Sequence, residues 1–396
     1  MARTLLVATL VASLASFYQF LAKDLIFNTF GIGRDVQAIE DFPFTCRRLQ
    51  DKKLEACEDL WLDDDSRTLY AACAGTQHRL SWNQAMGKLN ASARRPGGSE
   101  LVALDIDSPD SKGVFPMRVI KPTGYVGASG DASIDLLGFD AQIVDDTIHF
   151  YFVNQRPSVD SNKNLLDSSK IGPNATIDVF EMKRGSSQMK HIRTVWSPQV
   201  WSPNRVAVLS DGAFVVTNDH SVKLGVRKEL DPIIGGGNVA YCSPSGDCHQ
   251  ATTMRLKFPN GLTKGKDGLI YVPSSVDGAV RVYQLHSDKM LELVDTIHTK
   301  IPLDNVSPDA VGDLWVPGFP NYAKGMAAIS NPLERESPTT IFRIRKAGES
   351  YKVDKVVEDK QGKVLSVVTT VRHDAKTGRL FLGSALKPFL MVCDPK

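Results

Sequence analysis

The sequence has no surplus of charge of either sign. Its 396 residues carry 47 Lys and Arg against 45 Asp and Glu, and no run of Lys or Arg occurs. Domains that bind nucleic acid concentrate basic residues on one face, so this balance argues against a nucleic-acid partner. Apolar residues make up 42% and charged residues 23%, which excludes a disordered chain and a multi-span membrane protein.

Long apolar runs are also missing, with one exception near the N-terminus. Residues 5–21 are mostly apolar and lie between Arg3 and Lys23. A charged start, a short apolar centre and small residues are typical of a secretory signal or an uncleaved anchor, although an ordinary amphipathic helix is the alternative. We expect residues 1–25 to be a signal peptide or membrane anchor. Residues 40–396 would then be secreted, or anchored outside the cytosol, and a retained anchor would bring them to a membrane.

The six cysteines include no CxxC motif and have no histidine at ligand spacing. This pattern argues against zinc, and an even number favours disulfides in an oxidising compartment. Cys46 and Cys393 lie at opposite ends of the chain and could join the termini, whereas Cys242 and Cys248 enclose a turn-rich segment and could close a small loop. Asn-x-Ser/Thr sequons predict glycosylation at Asn90 and Asn174.

Stretches with helical periodicity are few after residue 30, and short apolar segments between turn residues are many. A unit recurs in which a first residue is followed about seven positions later by a Gly/Asp turn and then by an apolar strand. Its six copies begin at Glu58, Gly138, Asn204, Asn260, Asn305 and Ser366. Copies spaced irregularly, by about 45 to 80 residues, predict an all-β fold, a six-bladed β-propeller.

The first residue of each copy would lie where the inner strands converge on the propeller axis. Four of these positions, with the neighbouring Asp304, carry carboxylate or amide oxygens: Glu58, Asn204, Asn260, Asp304 and Asn305. An oxygen-only set with two negative charges favours Ca²⁺ over Mg²⁺. The alternative is that Asn and Asp merely cap turns at these positions.

Several motifs in one order resemble the paraoxonase/arylesterase family. They are Cys57–Leu60, Asn204–His220, Phe258–Gly261 and Asp304–Val316, and the resemblance covers about residues 40–395. It implies a six-bladed, calcium-dependent lactonase or esterase, related to gluconolactonases and strictosidine synthases. The five residues above match the ligands of the family's catalytic calcium, and Cys46 and Cys393 match its terminal disulfide.

The chain departs from the family at its second, structural calcium. The family's ligands correspond to Asp59, a main-chain carbonyl near Phe139, and a second Asp whose position is Arg205 here. A guanidinium cannot ligate a cation, so we expect one central Ca²⁺, no second ion, and an ion pair between Arg205 and Asp59.

The family's histidine pair is missing as well. Its positions correspond to Leu137 and Gln155, and no histidine occurs between His78 and His149. The family's pocket Cys-His appears as Gly318-Phe319. We expect Leu137, Phe139, Gln155 and Phe319 to line the substrate pocket. The best remaining base is His220 oriented by Asp219, unless that pair is only a turn.

Two functional classes fit these observations. The first is a calcium-dependent hydrolase of apolar lactones or aryl esters with an altered general base. The second is a non-hydrolytic propeller enzyme that cyclises or condenses a small apolar biosynthetic intermediate, or a ligand-binding pseudoenzyme. An apolar pocket excludes water and suits the second class. We favour hydrolysis, because a complete calcium set is harder to explain without carbonyl activation.

Overall fold

Short apolar segments bounded by turns form 26 strands in this computed structural model, which describes residues 2–396 and the side chains of residues 5–19 and 22–396. In chain order the strands are β1 (Phe44–Leu49), β2 (Cys57–Asp63), β3 (Thr68–Cys73), β4 (Trp82–Asn83), β5 (Lys88–Leu89), β6 (Glu100–Asp105), β7 (Met117–Thr123), β8 (Leu136–Val144), β9 (Thr147–Asn154), β10 (Thr176–Lys183), β11 (Gln188–Val195), β12 (Pro203–Val208), β13 (Phe214–Asn218), β14 (Asn238–Cys242), β15 (Cys248–Gln250), β16 (Thr263–Lys264), β17 (Ile270–Pro273), β18 (Ala279–Leu285), β19 (Leu291–His298), β20 (Ser307–Pro308), β21 (Leu314–Gly318), β22 (Thr339–Ala347), β23 (Ser350–Asp359), β24 (Thr370–Asp374), β25 (Arg379–Gly383) and β26 (Leu390–Pro395).

The strands form six four-stranded antiparallel units. Their strand orders are β2-β3-β6-β7, β8-β9-β10-β11, β12-β13-β14-β15, β16-β17-β18-β19, β20-β21-β22-β23 and β24-β25-β26-β1. The first two units join through a short parallel pairing of β7 with β11, and β4 with β5 forms a separate hairpin. The prediction of an all-β propeller is confirmed, and the first strand of each unit is an inner strand of the ring.

The last unit combines both ends of the propeller body. β1 pairs with β26 in a register that places Cys46 opposite Cys393, and a disulfide joins them. A second disulfide, Cys242–Cys248, links β14 to β15 as predicted. The third disulfide was not predicted from the sequence, and it joins Cys57 of β2 to Cys73 of β3. No cysteine within residues 2–396 is free.

Apolar side chains from neighbouring units fill the space between the sheets. Between the second and third units, for example, Val153, Val206 and Val216 are fully buried in one cluster. Each fully buried Val or Leu contributes about 1.5–3 kcal/mol. A single unit could not bury both of its faces, so the ring is needed to complete the core.

The helices are α1 (Ala2–Phe17), α2 (Thr76–Arg79), α3 (Ser168–Ile171), α4 (Val226–Ile234) and α5 (Tyr322–Ser330). π-helical turns occur at Tyr18–Ala22 and Leu25–Thr29, and 3₁₀ turns at Ile39–Asp41, Lys52–Leu54 and Ala91–Ala93.

α1 contains residues 5–17 of the predicted apolar N-terminal segment, and side chains such as Leu6 and Leu10 are exposed on it. In the described part of the chain, no helix is both long enough and apolar enough to cross a membrane. The segment after it contacts the propeller, where Thr29 Oγ1 donates a 2.8 Å hydrogen bond to the Val276 carbonyl.

Candidate functional site

Four inner strands begin beside the propeller axis and carry the predicted ligands there. Glu58 and Asn204 are the second residues of β2 and β12, whereas Asn260 and Asp304 shortly precede β16 and β20. The strand register shifts at both Glu58 and Asn204. A bulge of this kind re-aims a side chain out of the normal alternation, and here it accompanies two ligand positions.

The five predicted ligands are brought together and are almost fully buried. We call these five residues the ligand cluster. Asn305 Nδ2 donates to Glu58 Oε1 at 2.9 Å, and Asn260 Nδ2 donates to Ser275 Oγ at 2.7 Å. Gly261 allows the backbone next to Asn260 to approach the side chain of Asn305, because a Cβ at position 261 would lie 1.7 Å from Asn305 Oδ1.

Four oxygens of this cluster have no hydrogen-bond partner in the described chain: Glu58 Oε2, Asn204 Oδ1, Asp304 Oδ1 and Asn305 Oδ1. A buried polar atom without a partner costs about 1–3 kcal/mol, and a carboxylate costs more. Oxygen-only donors with two carboxylates are the set that Ca²⁺ prefers, so these residues fit that ion. Within residues 2–396, no group of three His, Cys, Asp or Glu residues is arranged to hold a metal ion. The five predicted ligands include only two residues of these types, Glu58 and Asp304, since the other three are amides.

The two acids destabilise each other's charge. Burial and the neighbouring Asp59 raise the pKa of Glu58 to about 7. Burial and Glu58 raise the pKa of Asp304 well above its usual value. Two carboxylates in this position need a cation to be ionised together at neutral pH.

Beside the cluster, Arg205 pairs with Asp59 as predicted. Arg205 Nε lies 2.8 Å from Asp59 Oδ2, and both side chains are at most 1% exposed. Arg205 Nη1 also donates to the Val306 carbonyl at 2.6 Å. Asp59 accepts from the amide of Phe139 at 2.9 Å and from Thr370 Oγ1 at 3.1 Å. The guanidinium therefore supplies the positive charge that Asp59 needs in this buried position.

A cavity of about 100 Å³ borders the ligand cluster. Glu58, Asn204, Asn260 and Asp304 form part of its wall, and most of the rest is apolar. We call it the central cavity. Its apolar wall includes Ala85, Met86, Leu137, Phe258, Phe319 and Met326.

Of the four predicted pocket residues, Leu137 and Phe319 line the central cavity, and Phe139 and Gln155 do not. Phe139 is instead packed in the core of its own unit, 5.4 Å from Phe152 between ring centroids. The side chain of Gln155 accepts a hydrogen bond from the amide of Gln84 at 3.2 Å, so it supports the β4–β5 hairpin, which does line the cavity.

The predicted base lies behind the cavity wall. His220 Nδ1 is 2.8 Å from Asp219 Oδ1, and the imidazole packs against Phe258 at 4.8 Å. Phe258 lines the cavity, whereas His220 and Asp219 do not. Although burial raises the pKa of Asp219, its interactions with His220 and Lys228 lower that pKa on balance. Among the described cavity-lining residues, none is His, Lys or Arg.

Two elements that cover the strand ends, the β4–β5 hairpin and α5, were not predicted from the sequence. The β4–β5 hairpin contributes Asn83 and Met86 to the central cavity, and α5 contributes Tyr322 and Met326. The signal for α5 was present, because Asn321 is a typical N-cap residue and its Oδ1 accepts a hydrogen bond from the Lys324 amide.

The predicted glycosylation positions differ in accessibility. Asn90 is exposed and Asn174 is half-buried. Asn305 also heads an Asn-x-Ser sequon, but it is fully buried within the ligand cluster. An N-linked glycan needs an exposed asparagine, so the geometry allows modification at the first two positions only.

Comparison with known proteins identifies the family. The family model described as Arylesterase matches residues 161–394. Serum paraoxonase/arylesterase 1 of Mus musculus is 28% identical over 240 residues, which are 59% of this chain and 65% of that protein. The chain thus matches less than two thirds of that relative's length. Serum paraoxonase/lactonase 3 of Oryctolagus cuniculus is 22% identical over 97% of each chain.

The plant Protein STRICTOSIDINE SYNTHASE-LIKE 3 of Arabidopsis thaliana is 30% identical over 47% of this chain and 53% of that protein. Among solved structures, a glucose dehydrogenase shares the fold with a TM-score of 0.50 and 12% identity, covering 88% of this chain and 98% of that one. The family model spans more than half of the sequence and includes four of the five predicted ligand residues. The chain therefore belongs to the arylesterase family.

Proposed function

We propose that this protein hydrolyses small apolar esters or lactones in the central cavity with one bound Ca²⁺. The observation that carries the proposal is the group of four unpartnered, buried oxygens on Glu58, Asn204, Asp304 and Asn305 at an apolar cavity. The names of these relatives, arylesterase and lactonase, support this substrate class.

The residues present divide the work. Glu58 and Asp304 supply two negative charges, and the three amides add neutral oxygens, so these five residues would hold Ca²⁺. Ca²⁺, when bound, polarises an ester carbonyl and favours ionisation of a water molecule. Leu137 and Phe319 hold the apolar part of the substrate and limit the access of bulk water.

His220 is the proposed proton acceptor, and Asp219 fixes its tautomer through Nδ1. The ring of Phe258 separates the imidazole from the cavity, so proton transfer requires displacement of that ring. We expect His220→Asn to lower kcat/KM by about 100-fold or more. His286→Asn, on an exposed turn, is the matched control. Unchanged kcat/KM in His220→Asn would assign the proton transfer to another group.

The ion assignment is tested by Asp304→Asn, which preserves shape and removes one negative charge. Calcium affinity measured by titration calorimetry should fall, and hydrolysis of phenyl acetate and of γ- and δ-lactones should fall with it. Asp267→Asn removes a carboxylate that contacts Tyr271 outside the cavity and should change neither. If Asp304→Asn binds calcium as tightly as the parent protein, the ligand assignment is wrong.

A non-hydrolytic reaction is the second candidate. It is favoured by the absence of His from the described cavity wall, whose only carboxylates, Glu58 and Asp304, are assigned to Ca²⁺. A wall without a further proton acceptor suits cyclisation, condensation or binding better than hydrolysis. Absence of turnover on the whole ester and lactone panel, together with calcium binding that only raises the melting temperature, would favour this candidate.

We also propose that the propeller body functions in the secretory pathway, outside the cytosol. Three disulfides in the structure support an oxidising compartment. Peptide mapping of secreted protein should detect a glycan at Asn90, and its N-terminal sequencing should show whether residues 1–25 are retained. Recovery of the fully reduced chain from the cytosol would contradict this localisation.

A further inference from the structure

Two residues that line the central cavity carry side-chain donors that the ligand cluster does not use: Asn83, through its amide nitrogen, and Tyr322, through its hydroxyl. Asn83 is only 4% exposed, and its Oδ1 accepts a hydrogen bond from the Met86 amide at 3.4 Å. In the described part of the chain, Asn83 Nδ2 donates to no protein atom and the Tyr322 hydroxyl has no hydrogen-bond partner.

The other neutral polar groups of the wall that lie outside the ligand cluster differ in this respect. Ser275 Oγ donates to the Leu303 carbonyl at 2.8 Å and accepts from the Asn260 amide. Thr369 Oγ1 donates to the Glu58 carbonyl at 2.9 Å. Outside the ligand cluster, the unused donors of the described wall therefore lie on Asn83 and Tyr322, which belong to the two covering elements.

The hairpin fixes the position of Asn83. On one side of it, Trp82 Nε1 donates to the Gln155 carbonyl at 2.7 Å. On the other side, the Gln84 carbonyl accepts from Lys228 Nζ at 2.6 Å. Gln84 Nε2 also donates to the Trp201 carbonyl at 2.9 Å. Residues from three other parts of the chain thus hold the neighbours of Asn83, so its amide is preorganised.

Tyr322 is held in a similar way at the start of α5. The ring of Phe30 packs edge-on against it, with 5.9 Å between centroids. Arg34 Nη1 donates to the Pro320 carbonyl at 2.7 Å, and Asn321 caps the helix. The phenol hydroxyl is consequently presented from a constrained element, and it can donate a hydrogen bond as well as accept one.

We propose that Asn83 and Tyr322 form a second polar subsite, which recognises an oxygen of the substrate remote from its reacting carbonyl. The substrate class is an apolar ester, lactone or related carbonyl compound that carries an additional hydroxyl, ether or carbonyl oxygen. Asn83 Nδ2 can only donate, so the recognised atom is an acceptor. Fixed polar groups in an apolar cavity determine orientation and specificity. The inference rests on the proposed function in taking the central cavity as the substrate site.

The test uses ligands that cannot be hydrolysed. Acetophenone has a carbonyl and an apolar ring, and 3- and 4-hydroxyacetophenone add an oxygen at two positions. Their affinities for the full chain in saturating Ca²⁺ are measured by titration calorimetry. One hydroxylated isomer should bind about threefold to tenfold more tightly than acetophenone, the range expected for a net hydrogen bond.

Tyr322→Phe should reduce this preference to less than twofold and leave the affinity for acetophenone unchanged. Asn83→Leu, checked for its melting temperature, should act in the same direction. Tyr351→Phe removes a hydroxyl that contacts Tyr271 outside the cavity and is the matched control.

Equal affinity of the parent protein for all three ketones overturns the subsite, as does a preference that survives both cavity variants. If the parent protein hydrolyses no ester or lactone but still prefers one hydroxylated ketone, the proposed reaction is wrong and the subsite stands. No binding of any of the ketones overturns the cavity assignment and the subsite together.

Discussion

Replacement of Arg205 by Met tests whether its guanidinium is required to neutralise the buried Asp59. The two groups are 2.8 Å apart and at most 1% exposed, so the substitution leaves Asp59 without its counter-charge in a buried position. Removing one partner of a buried ion pair destabilises a protein by about 3–5 kcal/mol. We expect a loss in this range, and we expect Asp59→Asn in the same chain to recover most of it, because the remaining pair is then uncharged.

The assay is urea unfolding in saturating Ca²⁺, followed by tryptophan fluorescence. The matched control is Arg343→Met, since Arg343 pairs with Asp313 but its side chain is 33% exposed. Pairs with this exposure contribute about 0–1 kcal/mol. A loss in Arg205→Met no larger than in the control would refute the reasoning. So would a double variant less stable than the single one.

Arg205 also sets the expected number of bound ions. We predict one Ca²⁺ per chain by mass spectrometry under native conditions, and a second ion in Arg205→Asp, which replaces a cation by an oxygen ligand beside Asp59. Two ions in the parent protein would contradict the role given to Arg205.

Three further perturbations have expected outcomes. Chelation of calcium should lower the melting temperature, and Ca²⁺ at 100 times its Kd should restore about 2.7 kcal/mol; an unchanged melting curve would contradict the ion site. Removal of the Cys46–Cys393 disulfide, which spans 347 residues, should cost about 6 kcal/mol in urea unfolding. Removal of Cys242–Cys248, which spans 6 residues, should cost about 2 kcal/mol; equal losses would contradict loop-closure entropy as the cause. Burial raises the pKa of Asp374, but hydrogen bonds from Arg67 and Thr377 lower it to about 2. The contribution of Asp374 to stability is therefore complete above about pH 4 and is lost as pH falls through about 2. Asp374→Asn should therefore lower the melting temperature at pH 7 and leave it nearly unchanged at pH 2.

The propeller could be predicted because the repeat is written in local sequence. In five of the six copies a polar residue lies at or near the start of the inner strand, and a Gly/Asp turn follows the strand. These features do not depend on distant contacts. The ligand cluster followed from the same repeat, since equivalent positions such as Glu58 and Asn204 meet at the axis. Irregular loops between the copies did not disturb this inference.

The cavity wall could not be predicted to the same extent. A one-residue register shift between Leu136 and Phe139 decides which of the intervening side chains faces the cavity, and such a bulge has no clear sequence signal. Phe258 lies between His220 and the cavity, with a backbone φ of 42° that residues other than glycine rarely adopt. The contribution of Asn83 depends on hydrogen bonds from distant parts of the chain.

The pairing of β1 with β26 has a consequence for biosynthesis. Cys46 must wait for a partner that is synthesised 347 residues later, and until then β1 has no neighbour on which to pair. The ring therefore closes only once nearly the whole body has been made, and the central cavity is complete only after that step. Premature termination before Leu390 would leave an open arc with an unpaired edge at each end, a form prone to aggregation rather than a shorter but functional protein.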